Sequence, residues 1–522
     1  MTDFPVSPKL ISRLSRRRLL QAAGGLGIAV GALPLFRPLP AHAQGEAPRR
    51  GGTLRVAAPP ATTIDPVKLD SGGGIAVVQQ PGEYLVWPMP DLSLRPMLAT
   101  EWRPEDDGRS WVFAIRRDVR FHDGREMTAK DVVATFRRLV DPKNASPAAA
   151  QIPFLKPEGI TAIDSHTVRF ELERPIGSFP HYTHTYNAVI LPEDYDGDFA
   201  RKPIGTGPFK MTAYRPQEGA SFVRNEDYWD RGRPHLDAVE IALYETQQPQ
   251  ILALQGGQAH VIHKISYIEA QALFQDAKVK ILDTETSEHR QLCMRVDRKP
   301  FDDKRVRQAV ALCFNRPAMV QGLLGGLASV GNDHAVAPIY PESSDIGQRV
   351  VDIAKAKALL AEAGYPKGFE IDLHTAQYLE LPQYAVLAQQ MLAAAGIKAN
   401  LKVEPLNAYY DHWTEVSFGL TDWAARPVAS QILGSAFRST SEWNAAHWKN
   451  AQFDALLDRF EAEPSLEKRQ AISREIETLM HDDVPAVIAY FTKSLRAVRQ
   501  DVRGVGASMV SYLDLRDAWL AA

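Results

Sequence analysis

VRFHDGREMTAKDVVATFRRLVDP, residues 119–142, holds a strand end, a turn, a capped helix and a stop. Just upstream, Trp111, Phe113 and Ile115 alternate onto one face of a strand. The turn His122-Asp123-Gly124 leads to Thr128, and Asp131 follows three residues later. A hydroxyl at the N-cap with an acid at N3 makes a capping box, because each side chain takes a backbone N–H that the first helical turn leaves without a partner. A helix is predicted over Asp131–Val140, stopped by Asp141-Pro142, where the ring cannot continue it.

The same alternation of strand and helix continues in both directions, which places the chain in the α/β class. TLRVAA (53–58) reads as a strand. FEIDLHT (369–375), QYAVLAQQMLAAAG (383–396) and KANLKVEPL (398–406) read as strand, helix and strand, the spacing of a βαβ unit with parallel pairing. LEKRQAISREIETLM (466–480) carries Ile472, Ile476, Leu479 and Met480 at helical spacing, and AVIAYF (486–491) reads as one buried strand. No internal repeat, charge run or long low-complexity stretch interrupts the pattern, and two α/β halves are expected.

At the N-terminus, Ser15-Arg16-Arg17-Arg18-Leu19-Leu20 precedes a mild apolar run and Ala41-His42-Ala43, a small-x-small cleavage site. That order predicts a twin-arginine export signal over residues 1–43, a route that carries proteins already folded. The run is too interrupted for a membrane span, and with no cysteine after the cut a lipid anchor is not expected. Removing residues 1–43 takes away six Lys/Arg and Asp3, which moves the formal net charge from −3 to −8. An acidic surface argues against nucleic acid or an anionic membrane as the partner. Cys293 sits in a strand pattern and Cys313 on a helical apolar stripe; two buried thiols are expected, although an exported protein could also bridge them.

Catalytic patterns are weak. His181/His184 and His260/His263 have a spacing used by metal sites, but both pairs lie in stretches that read as strands, where i and i+3 point to opposite faces. IGTGPF (204–209) lacks the Lys-Ser/Thr of a phosphate loop and reads as a glycine turn into the strand Phe209–Ala213. Asp302/Asp303 and Asp482/Asp483 fall at helix ends, where acids serve as caps or solvated charge. No cofactor is expected and no catalytic set assembles.

The stretch 119–142 resembles the signature of the family 5 extracellular solute-binding proteins, the oligopeptide-, dipeptide- and nickel-binding components of ABC importers. Residues 203–241, 299–326, 356–373 and the pair NAQFDALLDRFEAE and HDDVPAVIAYF are similar to further family blocks, in the family's order. The resemblance implies a type II-like periplasmic-binding-protein clamshell that encloses ligand at a hinge. It implies lobe I over 44–285 with an extra subdomain at about 89–203, lobe II over 286–491, and a return to lobe I over 492–522. A monomer serving ABC permease subunits is expected, with the twin-arginine translocase as its partner during export.

The resemblance also implies where ligand binds. TDWAARPVASQIL (421–433) matches a family stretch of tryptophan, short spacer and Asp-Pro, but Arg426-Pro427 replaces Asp-Pro. In many peptide binders an acid there holds the ligand's amino group. Asp422 could still do so, whereas Arg426 suits a carboxylate, and its alternative is an ion pair within the protein. Trp423 matches the family's aromatic and is read as a stacking surface. Glu83 and Tyr84 match a position near the hinge, Tyr186 and Asn187 one at the cleft edge, and Trp443 and Asn444 are further candidates in lobe II. The expected ligand is a peptide or a polar metabolite of similar size bearing a carboxylate, such as an opine-like conjugate. The alternatives are a metal-chelate binder of the nickel type and an exported metal-dependent enzyme.

Overall fold

A twelve-stranded mixed sheet spans the molecule, and its order explains how distant parts of the chain meet in one place. In the computed structural model, which describes residues 46–510 and 512–521, the order along the sheet is Lys398–Glu404, Glu370–Ala376, Phe418–Trp423, Val279–Met294, Tyr490–Arg499, Val261–Ile265, Thr53–Ala58, Ala238–Leu243, Gly219–Arg224 and Phe209–Arg215, with the short strands Ala328–Val330 and Ala486–Val487 paired off this path. The export signal expected over residues 1–43 lies outside the described residues.

At one end Glu370–Ala376 and Lys398–Glu404 pair in parallel across the helix Leu381–Ala393, as their spacing predicts. Toward the other end Thr53–Ala58 pairs in parallel with both Ala238–Leu243 and Val261–Ile265. A separate antiparallel sheet of four strands is formed by Ala99–Glu105, Ser110–Ile115, Thr167–Leu172 and Leu155–Asp164. The stretch that opened the sequence reading packs against it. The helix runs Ala129–Val140, two residues longer than predicted, because Thr128 is itself the N-cap and helical geometry begins at the next residue. The capping box is complete, with the Asp131 carboxylate accepting from the Thr128 backbone N–H at 2.7 Å.

Buried apolar side chains gather into distinct clusters. The largest draws on Leu54 to Val261 and on Val498 to Ala518. Two others draw mainly on Leu292 to Tyr490 and on Ala335 to Phe491. A smaller one joins Ile251, Leu254 and Leu273 to Leu495.

The strand Val279–Met294 links these regions. Residues 279–285 pair with Tyr490–Arg499, whereas 289–294 pair with Phe418–Trp423. The ladder shifts register between Glu285 and His289, which releases Thr286, Ser287 and Glu288 from regular pairing and re-aims them, as bulges do.

Two readings change. AVIAYF is buried but not one strand: Ala486–Val487 pairs with Leu292 and Cys293, and a new strand starts at Tyr490. Between them the chain is diverted, because the Ile488 carbonyl accepts from the Asp333 N–H and the Ala489 carbonyl from the Gly331 N–H. In IGTGPF the glycines serve close approach rather than a turn. A Cβ on Gly205 would lie 1.8 Å from the Pro81 carbonyl oxygen, and one on Gly207 2.7 Å from that of Gln80. Cys293 and Cys313 are buried free thiols.

Candidate functional site

Of the released residues Glu288 lines the cleft, while Ser287 is buried beside the loop Ala424–Pro427. Ser287 holds that loop from both sides of one residue: the Arg426 N–H donates to Ser287 Oγ at 2.8 Å, and Ser287 Oγ donates to the Arg426 carbonyl at 2.9 Å. The Tyr340 hydroxyl donates to the same carbonyl at 2.8 Å. With its backbone fixed at these points, Arg426 projects into a cavity of about 300 Å³.

No acid answers its charge. Among the described residues, no carboxylate lies within ion-pair distance of the Arg426 guanidinium, so the ion-pair alternative finds no partner. Burial pushes its pKa below the ordinary arginine value, against the opposing influence of the Tyr340 and Tyr186 phenols. A cation held out of water without a counter-charge is costly unless a ligand supplies one.

On one side the cavity is lined by polar groups that are neutral apart from Asp70. Phe179–His184 is a 3₁₀ helix, not the strand expected, and i and i+3 therefore share a face. The His181 and His184 rings lie 6.1 Å apart and line the cavity together. Burial holds their pKa values down, to about 3 and about 4, so both rings are neutral. His181 Nδ1, both nitrogens of His184 and Gln431 Oε1 are buried without hydrogen-bond partners. On the other side, Lys264 and Glu288 form an ion pair at 3.2 Å. Burial raises the Glu288 pKa, but Lys264 and Arg290 override it and hold the carboxyl at about 2. His260 plays no part here: its Nδ1 accepts from the Arg55 N–H at 2.9 Å. Among the described residues, no group of three or more His, Cys, Asp or Glu side chains is placed to hold a metal ion.

Comparison with known proteins bears on this geometry. A family model described as "Bacterial extracellular solute-binding proteins, family 5 Middle" matches residues 93–445. The chain belongs to this family. The family 5 protein is 28% identical over 419 residues to the glutathione-binding protein GsiB of Escherichia coli O157:H7, covering 76% of this chain and 80% of the relative. The structure of the binding protein AgaA from A. tumefacien R10, in complex with agropinic acid, matches with a TM-score of 0.72 at 25% identity, covering 90% of this chain and 99% of that one. HbpA2 from Haemophilus parasuis matches with a TM-score of 0.82 at 21% identity, covering 90% and 100%. The architecture is the two-lobed clamshell of periplasmic binding proteins, in which the cleft lies between halves built on a shared sheet.

Of the residues singled out in sequence, this solute-binding protein brings Arg426, Tyr186 and Asp422 to the cleft cavities. Six others do other work. Glu83 is buried away from the cavities and accepts from Thr206 Oγ1 at 2.8 Å, the Tyr228 hydroxyl at 2.6 Å and Trp229 Nε1 at 2.8 Å. Tyr84 stacks on Tyr512 at 5.6 Å, one layer behind the wall. The Asn187 amide donates to the Pro66 and Leu69 carbonyls, both at 3.0 Å. Asn444 spans its own loop, donating to the Trp448 carbonyl at 2.8 Å. Trp423 is not a stacking surface. It ends the strand Phe418–Trp423, so its side chain and that of Asp422 leave on opposite faces; Asp422 goes to the cleft and Trp423 into the core between Trp413 and Trp443. Trp443 is exposed beside Trp423 and lines neither cavity.

Sequence reasoning missed Ser287, Tyr340 and Gln431, which lie far apart in the chain. It weighed His181 and His184 only as metal ligands.

Proposed function

We propose that this family 5 protein is the periplasmic capture component of an ABC importer and that Arg426 grips a carboxylate of its ligand between the two lobes. One observation carries the reading: a guanidinium on a clamped loop, inside a cleft cavity, with no acid partner among the described residues. Bidentate pairing with a carboxylate would supply the missing charge in the geometry a guanidinium prefers. The relatives point the same way, since glutathione and agropinic acid both carry carboxylates. The ligand is thus a peptide or a similar polar metabolite.

Lobe I would comprise residues 44–285 and 492–522, with the extra subdomain at about 89–203, and lobe II residues 286–491. The distribution of buried clusters supports that division, with Val279–Met294 and Tyr490–Arg499 as the connecting strands. A ligand drives closure only through its extra affinity for the closed state, and an anion reaching both Arg426 and the neutral wall of His181 and His184 would supply it. Residues 1–43 would direct twin-arginine export to the periplasm, with cleavage after Ala43, and the closed monomer would be read by the permease.

A second reading has its own observation. Because His181 and His184 share a face of one cavity with free ring nitrogens, a metal chelate could occupy it, its carboxylates on Arg426 and its metal at the rings. Native mass spectrometry of the protein purified without chelators, repeated after denaturation, tests both. A released organic acid supports the first reading, a metal-sized increment the second. Arg426→Ala protein that keeps the same adduct at the same occupancy would sink both.

A further inference from the structure

Outside the cleft cavities, the subdomain that carries the four-stranded sheet meets the region assigned to lobe II at a second place. The loop from Arg174 to Phe179 follows the strand Thr167–Leu172 and is held rigid from its own side. The Ile176 N–H donates to the Gly108 carbonyl at 3.0 Å, and Trp111 Nε1 donates to the Ile176 carbonyl at 3.1 Å. The loop docks in the elbow between the helices Ala451–Ala462 and Leu466–Asp483. The fit leaves no room for a side chain, because a Cβ on Gly177 would lie 2.1 Å from the Glu463 carbonyl oxygen and 2.8 Å from the Pro464 nitrogen.

The joint completes the end of the first helix. The last carbonyls of a helix have no partner within it and need donors from elsewhere. After Ala462 the chain turns extended at Glu463, and Pro464 has no N–H to give. The donor to the Glu461 carbonyl comes across the joint, from the Gly177 N–H at 2.8 Å. The Glu461 carboxylate, only 10% exposed, is bridged by Arg174 at 2.5 Å and by Arg438 from its own side at 3.2 Å. Both cations stand beside a helix C-terminus, where the macrodipole favours positive charge. Arg174, Gly177 and Glu461 line neither cleft cavity.

We infer that this joint is a latch that draws the two lobes together without touching ligand. The inference rests on the lobe division proposed above and adds a closing force that is independent of what the cleft holds. Parting the lobes would strip Glu461 of Gly177 and Arg174 together, leaving Arg438 alone on the carboxylate and a helix-end carbonyl without that donor. The latch energy therefore belongs to the closed state only. It adds to the differential affinity that a ligand brings, and it slows release, because the lobes cannot part until the joint does. Since it is the same for every ligand, it raises affinity without changing specificity.

Small-angle X-ray scattering and hydrogen exchange test this on the purified protein, freed of any bound adduct by urea and dialysis. Two variants are compared with wild type. Arg174→Ala removes a half-exposed side chain, and Gly177→Ala drives a methyl group against Glu463. Both are expected to show a larger radius of gyration than wild type. In Arg174→Ala, exchange at the Gly177 amide and at residues 459–463 should be about fivefold faster, with the amides of the strand Thr53–Ala58 unchanged. If exchange in that strand shows that Gly177→Ala has lost its fold, Arg174→Ala decides. Equal radii with unchanged exchange at the joint would overturn the latch and leave the lobe division standing. Equal radii with faster exchange at the joint would make it a packing contact within a single body, and the lobe division would fall with the latch.

Discussion

Arg316 and Arg426 are both arginines withdrawn from water, and they are treated in opposite ways. Arg316 is fully buried, and its guanidinium donates to both oxygens of Asp333, at 2.7 and 2.6 Å. Arg349 donates to the same carboxylate at 2.7 Å, the Ile488 N–H does so at 3.3 Å, and the Ala311 carbonyl takes a further Arg316 N–H at 3.2 Å. Around Arg426 the hydrogen bonds go to the backbone, and the guanidinium is left facing a cavity. Burial alone therefore does not mark a site. A scaffold closes its own charges, whereas a binding site fixes a charged group and leaves it open.

The contrast breaks first at Asp333. Asp333→Ala would strand two guanidinium groups, one of them at zero exposure, and should cost about 3–5 kcal/mol of folding stability in urea denaturation. A loss within the ordinary range of surface substitutions would mean that the internal network is not what separates the two arginines. Arg426→Ala should do the reverse. It removes an unmatched cation, so the midpoint should hold or rise, while affinity for a carboxylate ligand falls by about 2–5 kcal/mol. Arg426→Lys keeps the charge without the bidentate fork and should fall between the two.

How much of this could be read in the sequence follows from how local each signal is. The capping box of Thr128 and Asp131 and the parallel unit over 369–406 rest on neighbours within a few turns, and both are present. The 3₁₀ turn at Phe179–His184 was hidden by its β-forming composition, and the tertiary setting overrode that propensity. Trp423 was misjudged because an aromatic beside Asp422 looks exposed until the strand's alternation separates them. Arg426 stood out as a departure from Asp-Pro, but its lack of a partner is a three-dimensional fact. So is the bulge that brings Ser287 to it across 139 residues.

Glu288 lies between the two extremes, matched by Lys264 and Arg290 yet facing the cleft. Its carboxyl is held at about 2, below the ordinary value of 4.5. A group depressed in the folded state stabilises above its unfolded pKa. That contribution is lost as pH falls through the folded value. Between pH 6.5 and pH 3 the protein should therefore lose on the order of 2 kcal/mol that a Glu288→Gln variant never had. Melting curves at the two pH values check it, and parallel declines for both proteins would mean that Lys264 and Arg290 do not hold the carboxylate as the geometry indicates.

The smallest effect is the most telling about how the open charge is aimed. Ser287→Ala removes both hydrogen bonds to the Arg426 backbone and leaves its N–H without that acceptor, which should cost about 1 kcal/mol of stability. It should also weaken ligand binding modestly, because the guanidinium loses one of its anchors while Tyr340 retains the other. A double-mutant cycle separates positioning from contact. If Ser287 acts by placing Arg426, its effect on affinity should vanish in an Arg426→Ala background, while the stability cost remains. An undiminished affinity effect there would mean that Ser287 meets the ligand itself, and the clamp on Arg426 would then account for the loop's stability and not for the aim of its charge.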